Sequence, residues 1–256
     1  MPNIKCIDVS EWQGTIDWKK VKESGIEFAI LRAGFGRESS QIDDEFERNY
    51  NNAKKAGIKL GAYWYSYADS VADAEREAKA CLTALKGKTF ELPIYYDLED
   101  NSQLSFSKKT LTAIAIMFCN TVKAKGFNVG VYASLNWFTN YLDYEVLKKH
   151  YSIWLAQYYN TNQLECDIWQ HTSEGTVKGI LNAVDLNVIF NTKIINILGD
   201  VNNDGKINIK DATLIQKHTA KATKLSKEQI KKADVNKDGK VNIKDATALQ
   251  KQIAKK

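Results

Sequence analysis

Along the first 190 residues, short apolar, β-branched runs alternate with longer stretches whose apolar positions recur at helical spacing. The runs predict strands near Ile4–Val9, Phe28–Ala33, Lys59–Ser66, Pro93–Leu98, Val129–Ala133, Ile153–Gln157, Asp167–Gln170 and Val184–Ile189. Helices are expected over Asp17–Ser24, Asp43–Ala56, Ser70–Lys86 and Lys108–Lys125. Asp17, Ser70 and Ser107 offer N-cap oxygens, and Gly25, Gly57, Gly87 and Gly126 follow the helix ends. Strand–helix alternation predicts a parallel sheet. The fold class is therefore α/β, a TIM-like (β/α) barrel of about eight strands. The last three strands lie too close together for full crossover helices, so the barrel should be irregular and short of helices on its late side.

Beyond residue 198 the pattern changes to a duplication. Residues 199–221 and 233–255 align at an offset of 34, with 16 of 23 positions identical. Each copy opens with D-x-N-x-D-G and carries an acid at loop position twelve. Side-chain oxygens at alternate positions of a tight loop can converge on calcium, a hard cation that takes six to eight oxygen ligands. The candidate ligands are Asp200, Asn202, Asp204, the Lys206 carbonyl, Asn208 and Asp211 in the first loop. In the second they are Asp234, Asn236, Asp238, the Lys240 carbonyl, Asn242 and Asp245. Gly205 and Gly239 sit where such a loop turns sharply, and Ile207 and Val241 where a short strand could pair the loops. The segment before Asp200 reads as short and strand-like, and position twelve is Asp in both copies. The units therefore read as loop plus exiting helix, unlike an EF-hand with its entering helix and Glu. The chain divides into a barrel at 1–192, a short linker at 193–198 and a helical module at 199–256.

Charge sharpens this division. From Gly199 onward 14 Lys face 7 acids, whereas the preceding residues carry 22 basic and 24 acidic side chains. The basic excess keeps register with the repeat, which argues against a nucleic-acid patch. Cys6, Cys81, Cys119 and Cys166 form no CxxC pair, which disfavours zinc; the first and last fall in expected strands, the middle two in helices, and buried free thiols are expected. No apolar run reaches the roughly 18 residues of a membrane span; Met1-Pro2-Asn3 leads almost directly into the first strand, as in a mature region behind an added Met, so export is an expectation from function.

In such barrels chemistry gathers at the C-terminal strand ends. Asp8 closes the first strand, Asp97 and Glu99 close the fourth with side chains expected on one face, and Asp185 stands in the last. Clustered carboxylates raise one another's free energy, so their gathering suggests function, and a carboxylate-based hydrolase is the reading from the residues alone. Aromatics near the same ends, Tyr63, Tyr65, Tyr95, Tyr132 and Trp154, could stack on a ring-shaped substrate or pack in the core, with Tyr63, Tyr132 and Trp154 the preferred substrate contacts.

The stretches Asp8-Val9-Ser10-Glu11-Trp12-Gln13-Gly14, Phe28-Ala29-Ile30-Leu31-Arg32-Ala33-Gly34, Gly61-Ala62-Tyr63-Trp64-Tyr65, Asp97-Leu98-Glu99, Trp154-Leu155-Ala156-Gln157-Tyr158, Trp169-Gln170 and Val184-Asp185-Leu186-Asn187 resemble glycoside hydrolase family 25. Trp64 stands where many members have His. The resemblance implies a lysozyme (N-acetylmuramidase) cutting the β-1,4 bond between N-acetylmuramic acid and N-acetylglucosamine in peptidoglycan. It implies Glu99 as general acid, with Asp8, Asp97 and Asp185 around it. Asp8, Asp97 or the substrate's own acetamido group could be the nucleophile; net retention is expected, and no cofactor is needed for catalysis. A silent wall- or chitin-type glycan-binding protein is the competing reading, and a structural scaffold part a third.

Residues 197–256 resemble a type I dockerin, whose partner is a cohesin domain. That resemblance implies two structural calcium ions and recognition through Ile209, Lys210, Gln216, Lys217 and Lys221, mirrored by Ile243, Lys244, Gln250, Lys251 and Lys255. It implies a secreted, cell-surface or scaffold-associated protein, monomeric apart from cohesin.

Overall fold

The computed structural model describes residues 4–254, which form two compact units divided between Ile194 and Ile195. The first is a closed eight-stranded barrel in sequential order: β1 (Ile4–Val9), β2 (Phe28–Phe35), β3 (Lys59–Tyr65), β4 (Ile94–Asp97), β5 (Val129–Ser134), β6 (Ser152–Ala156), β7 (Ile168–Gly175) and β8 (Val184–Ile189). Pairings from β1 through β7 are parallel. β8 runs antiparallel to both its neighbours, β7 and β1. It therefore enters the sheet from the rim at which the other strands leave.

The helices α1 (Trp18–Glu23), α2 (Phe46–Lys55), α3 (Val71–Ala84) and α4 (Lys108–Lys123) follow the first four strands in turn. Asp17, Ser70 and Ser107 each accept a backbone N–H of the first helical turn, as their positions predict. Gly25 and Gly57 follow α1 and α2 with φ of 91° and 77°, backbone that side chains with a Cβ resist. Asp43, expected to open α2, instead binds Arg32 Nε at 2.7 Å and the Glu11 N–H at 3.0 Å, and α2 begins three residues later. Between β5 and β6 lie a π-helical turn (Trp137–Tyr141) and the short α5 (Tyr144–Lys148), neither of which the periodicity signals. No helix links β6 to β7 or β7 to β8, which leaves the late side as bare as the spacing implied.

Strand residues alternate between two apolar layers. Ile7, Leu31, Leu60, Trp64, Tyr96, Val131 and Leu155 pack outward with Leu111, Phe118 and Phe138. The lumen is aromatic: Trp154 of β6 meets the rings of Tyr63, Tyr95 and Tyr132 at 6.0, 5.2 and 4.4 Å. Gly130 makes room there, since a Cβ would lie 2.3 Å from the Tyr95 ring. Trp64 belongs to the outer layer, where its indole N–H donates to the Gly36 carbonyl at 2.9 Å. The departure from His at that position thus changes the shell rather than the lumen. All four cysteines are free; Cys166 lies in the loop before β7, outside any strand.

The second unit contains α6 (Ile209–Thr219), α7 (Lys227–Ala233) and α8 (Ile243–Ile253) around a small core of Val201, Ala212, Ile215, Leu225, Ala233, Ala246 and Leu249. Two expectations are corrected. α7 runs directly into Asp234, so the second loop does have an entering helix; Ser226 caps it through a reciprocal pair with Gln229. No strand pairing joins Ile207 to Val241 among the described residues. The expected linker at 193–198 is part of this unit from Ile195 on.

Candidate active site

Four carboxylates meet at the barrel rim. The antiparallel course of β8 sets Asp185 directly opposite Asp8 of β1. Asp97 ends β4, and Glu99 lies two residues beyond, past the strand. Asp8 and Asp97 are buried, Asp185 is partly buried, and Glu99 is open to solvent.

Asp8 is held from two sides. Its Oδ2 accepts the side-chain amides of Asn187 at 2.7 Å and Gln170 at 2.9 Å. Each amide is oriented in turn by hydrogen bonds to its oxygen. The Trp154 indole N–H donates to Asn187 at 2.7 Å, and the hydroxyls of Tyr132 and Tyr158 both donate to Gln170 at 2.9 Å. Asp97 differs: its Oδ1 is buried with no partner among the described residues. An unpaired buried acceptor raises the energy of the empty site and marks a place for a donor group.

Charge crowding and burial act together here. Burial, then Asp185, holds Asp8 well above the usual carboxylate range, against the two amide bonds. Burial, then Glu99 and Asp8, does the same for Asp97, with Arg32 opposing. Glu99, though its side chain reaches solvent, is raised first by partial desolvation of its carboxyl, then by Asp185 and Asp100. Asp185 is pushed up to about 6, mainly by burial. Several proton acceptors with unequal affinities in one cleft can run acid–base chemistry near neutral pH.

The aromatics divide. Tyr63 is partly exposed and close enough to Asp8, Asp97 and Arg32 to feel their charges, as a substrate contact requires. Tyr132 and Trp154 are only 6% and 1% exposed. They offer no ring face to a sugar and form the floor, so the expectation of direct stacking on them is corrected. Sequence reading missed Gln170 and Asn187 as site residues, although Asn187 shares a strand face with Asp185 at i+2. It also missed Tyr158, 52% exposed and facing Asp185, Asp8 and Glu99.

In the second unit the two loops present oxygen donors only. Asp200 Oδ1 and Asn202 Oδ1 both accept the Asp204 N–H, at 3.1 and 2.9 Å, and Asp200 Oδ2 accepts from Gly205 at 3.1 Å. Asp211 reaches back to the amides of Val201, Asn202 and Asn208. Asp234, Asn236, Asp238 and Asp245 repeat most of the pattern. Gly205 and Gly239 take φ of 81° and 82° at the sharp turn. These side chains fold back onto their own loops, and among the described residues no three carboxylates, histidines or cysteines come together as a metal-holding group; what suits calcium is the donor type, oxygen throughout. Asn208 and Asn242 cap α6 and α8, and the Lys206 N–H and Lys240 N–H bind back to Asp204 and Asp238. On the helices, Ile209 and Ile243 are 56% and 54% exposed; Lys210, Lys217, Lys244 and Lys251 are exposed, Gln216 and Gln250 partly so. Lys221 lies past the end of α6 with φ of 59°, off the helix face expected for it. Lys255 lies outside the described residues.

Residues 7–180 match Glycosyl hydrolases family 25, and residues 198–254 match the Dockerin type I domain. The uncharacterized protein YegX of Escherichia coli O157:H7 is 30% identical over 200 residues, covering 74% of this chain and 71% of YegX. The autolytic lysozyme of Clostridium acetobutylicum is 29% identical over 187 residues, 72% of this chain and 55% of that protein. Among solved structures, the modular autolysin LytC from Streptococcus pneumoniae, in complex with synthetic peptidoglycan ligand, aligns at a TM-score of 0.66 and 32% identity over 73% of this chain. The match spans 46% of LytC, less than half its length.

Proposed function

The chain belongs to family 25 of the glycosyl hydrolases and carries a type I dockerin domain; from that membership we propose that it is a muramidase hydrolysing the β-1,4 bond between N-acetylmuramic acid and N-acetylglucosamine. The observation that carries the reading is the gathering of Asp8, Asp97, Glu99 and Asp185 at one rim with their proton affinities raised. Glu99, reachable from solvent and with its proton affinity raised, is the general acid for the leaving sugar oxygen. The unpaired Asp97 Oδ1 suits the N–H of a substrate acetamido group. Asp97 then orients that group to attack the anomeric carbon, giving net retention. Asp185, ionised above about pH 6, supplies a negative field that favours an oxocarbenium-like transition state, beside Asp8 fixed by Gln170 and Asn187. Tyr63 contacts the sugar.

The barrel domain, residues 1–192, is delivered by the module at 199–256. Two calcium ions, held by the loop oxygens named above, would fasten each loop onto its exiting helix. The exposed Ile209 and Ile243 with the flanking lysines and glutamines form the face for a cohesin on a scaffold or cell surface. The protein acts outside the cell, as a monomer apart from that partner. The test is release of reducing ends from purified peptidoglycan by the native chain and by Glu99→Gln. A drop of about 10²–10⁴-fold is expected; equal activity would remove Glu99 from the acid's role.

A further inference from the structure

The two loops of the second unit are near-copies in sequence but differ in what surrounds them. Lys232, the penultimate residue of α7, is 5% exposed. Its ammonium donates to the Ile195 carbonyl at 2.5 Å and to Asn203 Oδ1, in the first loop, at 2.6 Å. At the 34-residue offset its counterpart is Leu198, which is 37% exposed and brings no charge. The counterpart of Asn203 is Lys237, which holds the same left-handed backbone, φ 59° against 60°. The duplication thus departs from identity at both ends of this contact.

The ammonium also lies within the field of the loop's acids. It draws the Asp200 carboxyl down against the burial that raises it, and Asp200 and Asp211 favour its charge in return. A buried lysine without partners is costly, and so are buried carboxylates in an empty loop. Each offsets part of the other's cost, although burial still leaves Asp200 raised and Lys232 lowered. The second loop has three acids, Asp234, Asp238 and Asp245, and none of the described side chains places a buried cation against them. Asn236, Asp238 and Gly239 lie open to solvent.

We propose that Lys232 is a built-in counter-cation for the first loop, so that this loop keeps its fold without calcium whereas the second depends on the ion. The inference rests on the calcium reading given above. It makes the module's two halves unequal in metal dependence despite their matched outer faces: at low calcium only the first loop stays closed onto its helix, α6.

Hydrogen–deuterium exchange on the full chain, calcium-loaded and after chelation with EDTA, tests this through peptides spanning residues 199–208 and 233–242. Chelation is expected to speed exchange in the second peptide at least tenfold more than in the first. Lys232→Met removes the cation at similar length. Lys232→Gln keeps a hydrogen-bond donor at that place without the charge. Either variant, folded with calcium present, is expected to let the first loop open after chelation as readily as the second; should Lys232→Met fail to fold with calcium, Lys232→Gln decides. Equal opening of both loops in the native chain, or continued protection of the first loop in the deciding variant, overturns the proposal. Calcium changing exchange in neither loop would instead sink the calcium reading itself.

Discussion

Replacing Asp185 by Asn is expected to stabilise the barrel at neutral pH and impair its chemistry. The Asp185 carboxyl is pushed up from an ordinary 3.8 to about 6, first by burial and further by Glu174. A folded-state pKa above the unfolded one means the folded chain binds the proton more tightly. The ionised form therefore costs stability; the cost is absent below about pH 4, grows through pH 4–6 and is complete above. Two pKa units correspond to roughly 3 kcal/mol. Asn keeps the shape without the charge, so Asp185→Asn should gain roughly 2–3 kcal/mol at pH 7 and nothing near pH 3.5. For a domain of this size that is a rise in Tm of about 5–10 °C at pH 7. Urea unfolding followed by tryptophan fluorescence, with calcium held constant, measures it at both pH values. Asp185 also helps keep Glu99 protonated, so the alkaline limb of kcat/KM should move to lower pH in the variant. A gain equal at both pH values, or a loss of stability at pH 7, would refute this account of the cluster.

Three further outcomes follow from the structure. Trp154→Phe removes the indole N–H that orients Asn187 and leaves a buried acceptor unpaired; a loss of roughly 1–3 kcal/mol in denaturant unfolding is expected, with kcat reduced more than KM is raised because Asp8 loses its fixed partner. Gly34→Ala places a Cβ 2.3 Å from the Gln41 carbonyl and 2.6 Å from the Trp64 ring, and should cost about 1–3 kcal/mol; an unchanged Tm would show that the shell yields more easily than its packing implies. Chelation of calcium should abolish capture by cohesin while leaving hydrolysis of soluble glycan strands within twofold, read by surface plasmon resonance and reducing-end release; loss of both together would place the domain division wrongly.

Much of this protein is local and therefore legible in its sequence. Short apolar, β-branched runs locate the eight strands, and Asp17, Ser70 and Ser107 mark helix starts because a capping oxygen acts within its own turn. The doubled D-x-N-x-D-G loops are likewise self-contained, since their candidate ligands lie within twelve residues. The i, i+2 spacing of Asp97 and Glu99 places both at one strand end, but the strand stops at Asp97 and leaves Glu99 beyond it, open to solvent. Alternation tells which residues share a face; it says neither which face is inward nor which way a strand runs. Only the closed sheet turns β8 antiparallel and so sets Asp185 opposite Asp8. Only closure buries Tyr132 and Trp154 beneath the site and brings Gln170 and Asn187 onto Asp8 from more than 160 residues away along the chain. The same holds for Lys232, whose partner Asn203 lies 29 residues back. Local sequence chose the elements and the reactive groups; long-range packing chose their neighbours, and the neighbours set the proton affinities and free acceptors on which the proposed chemistry depends.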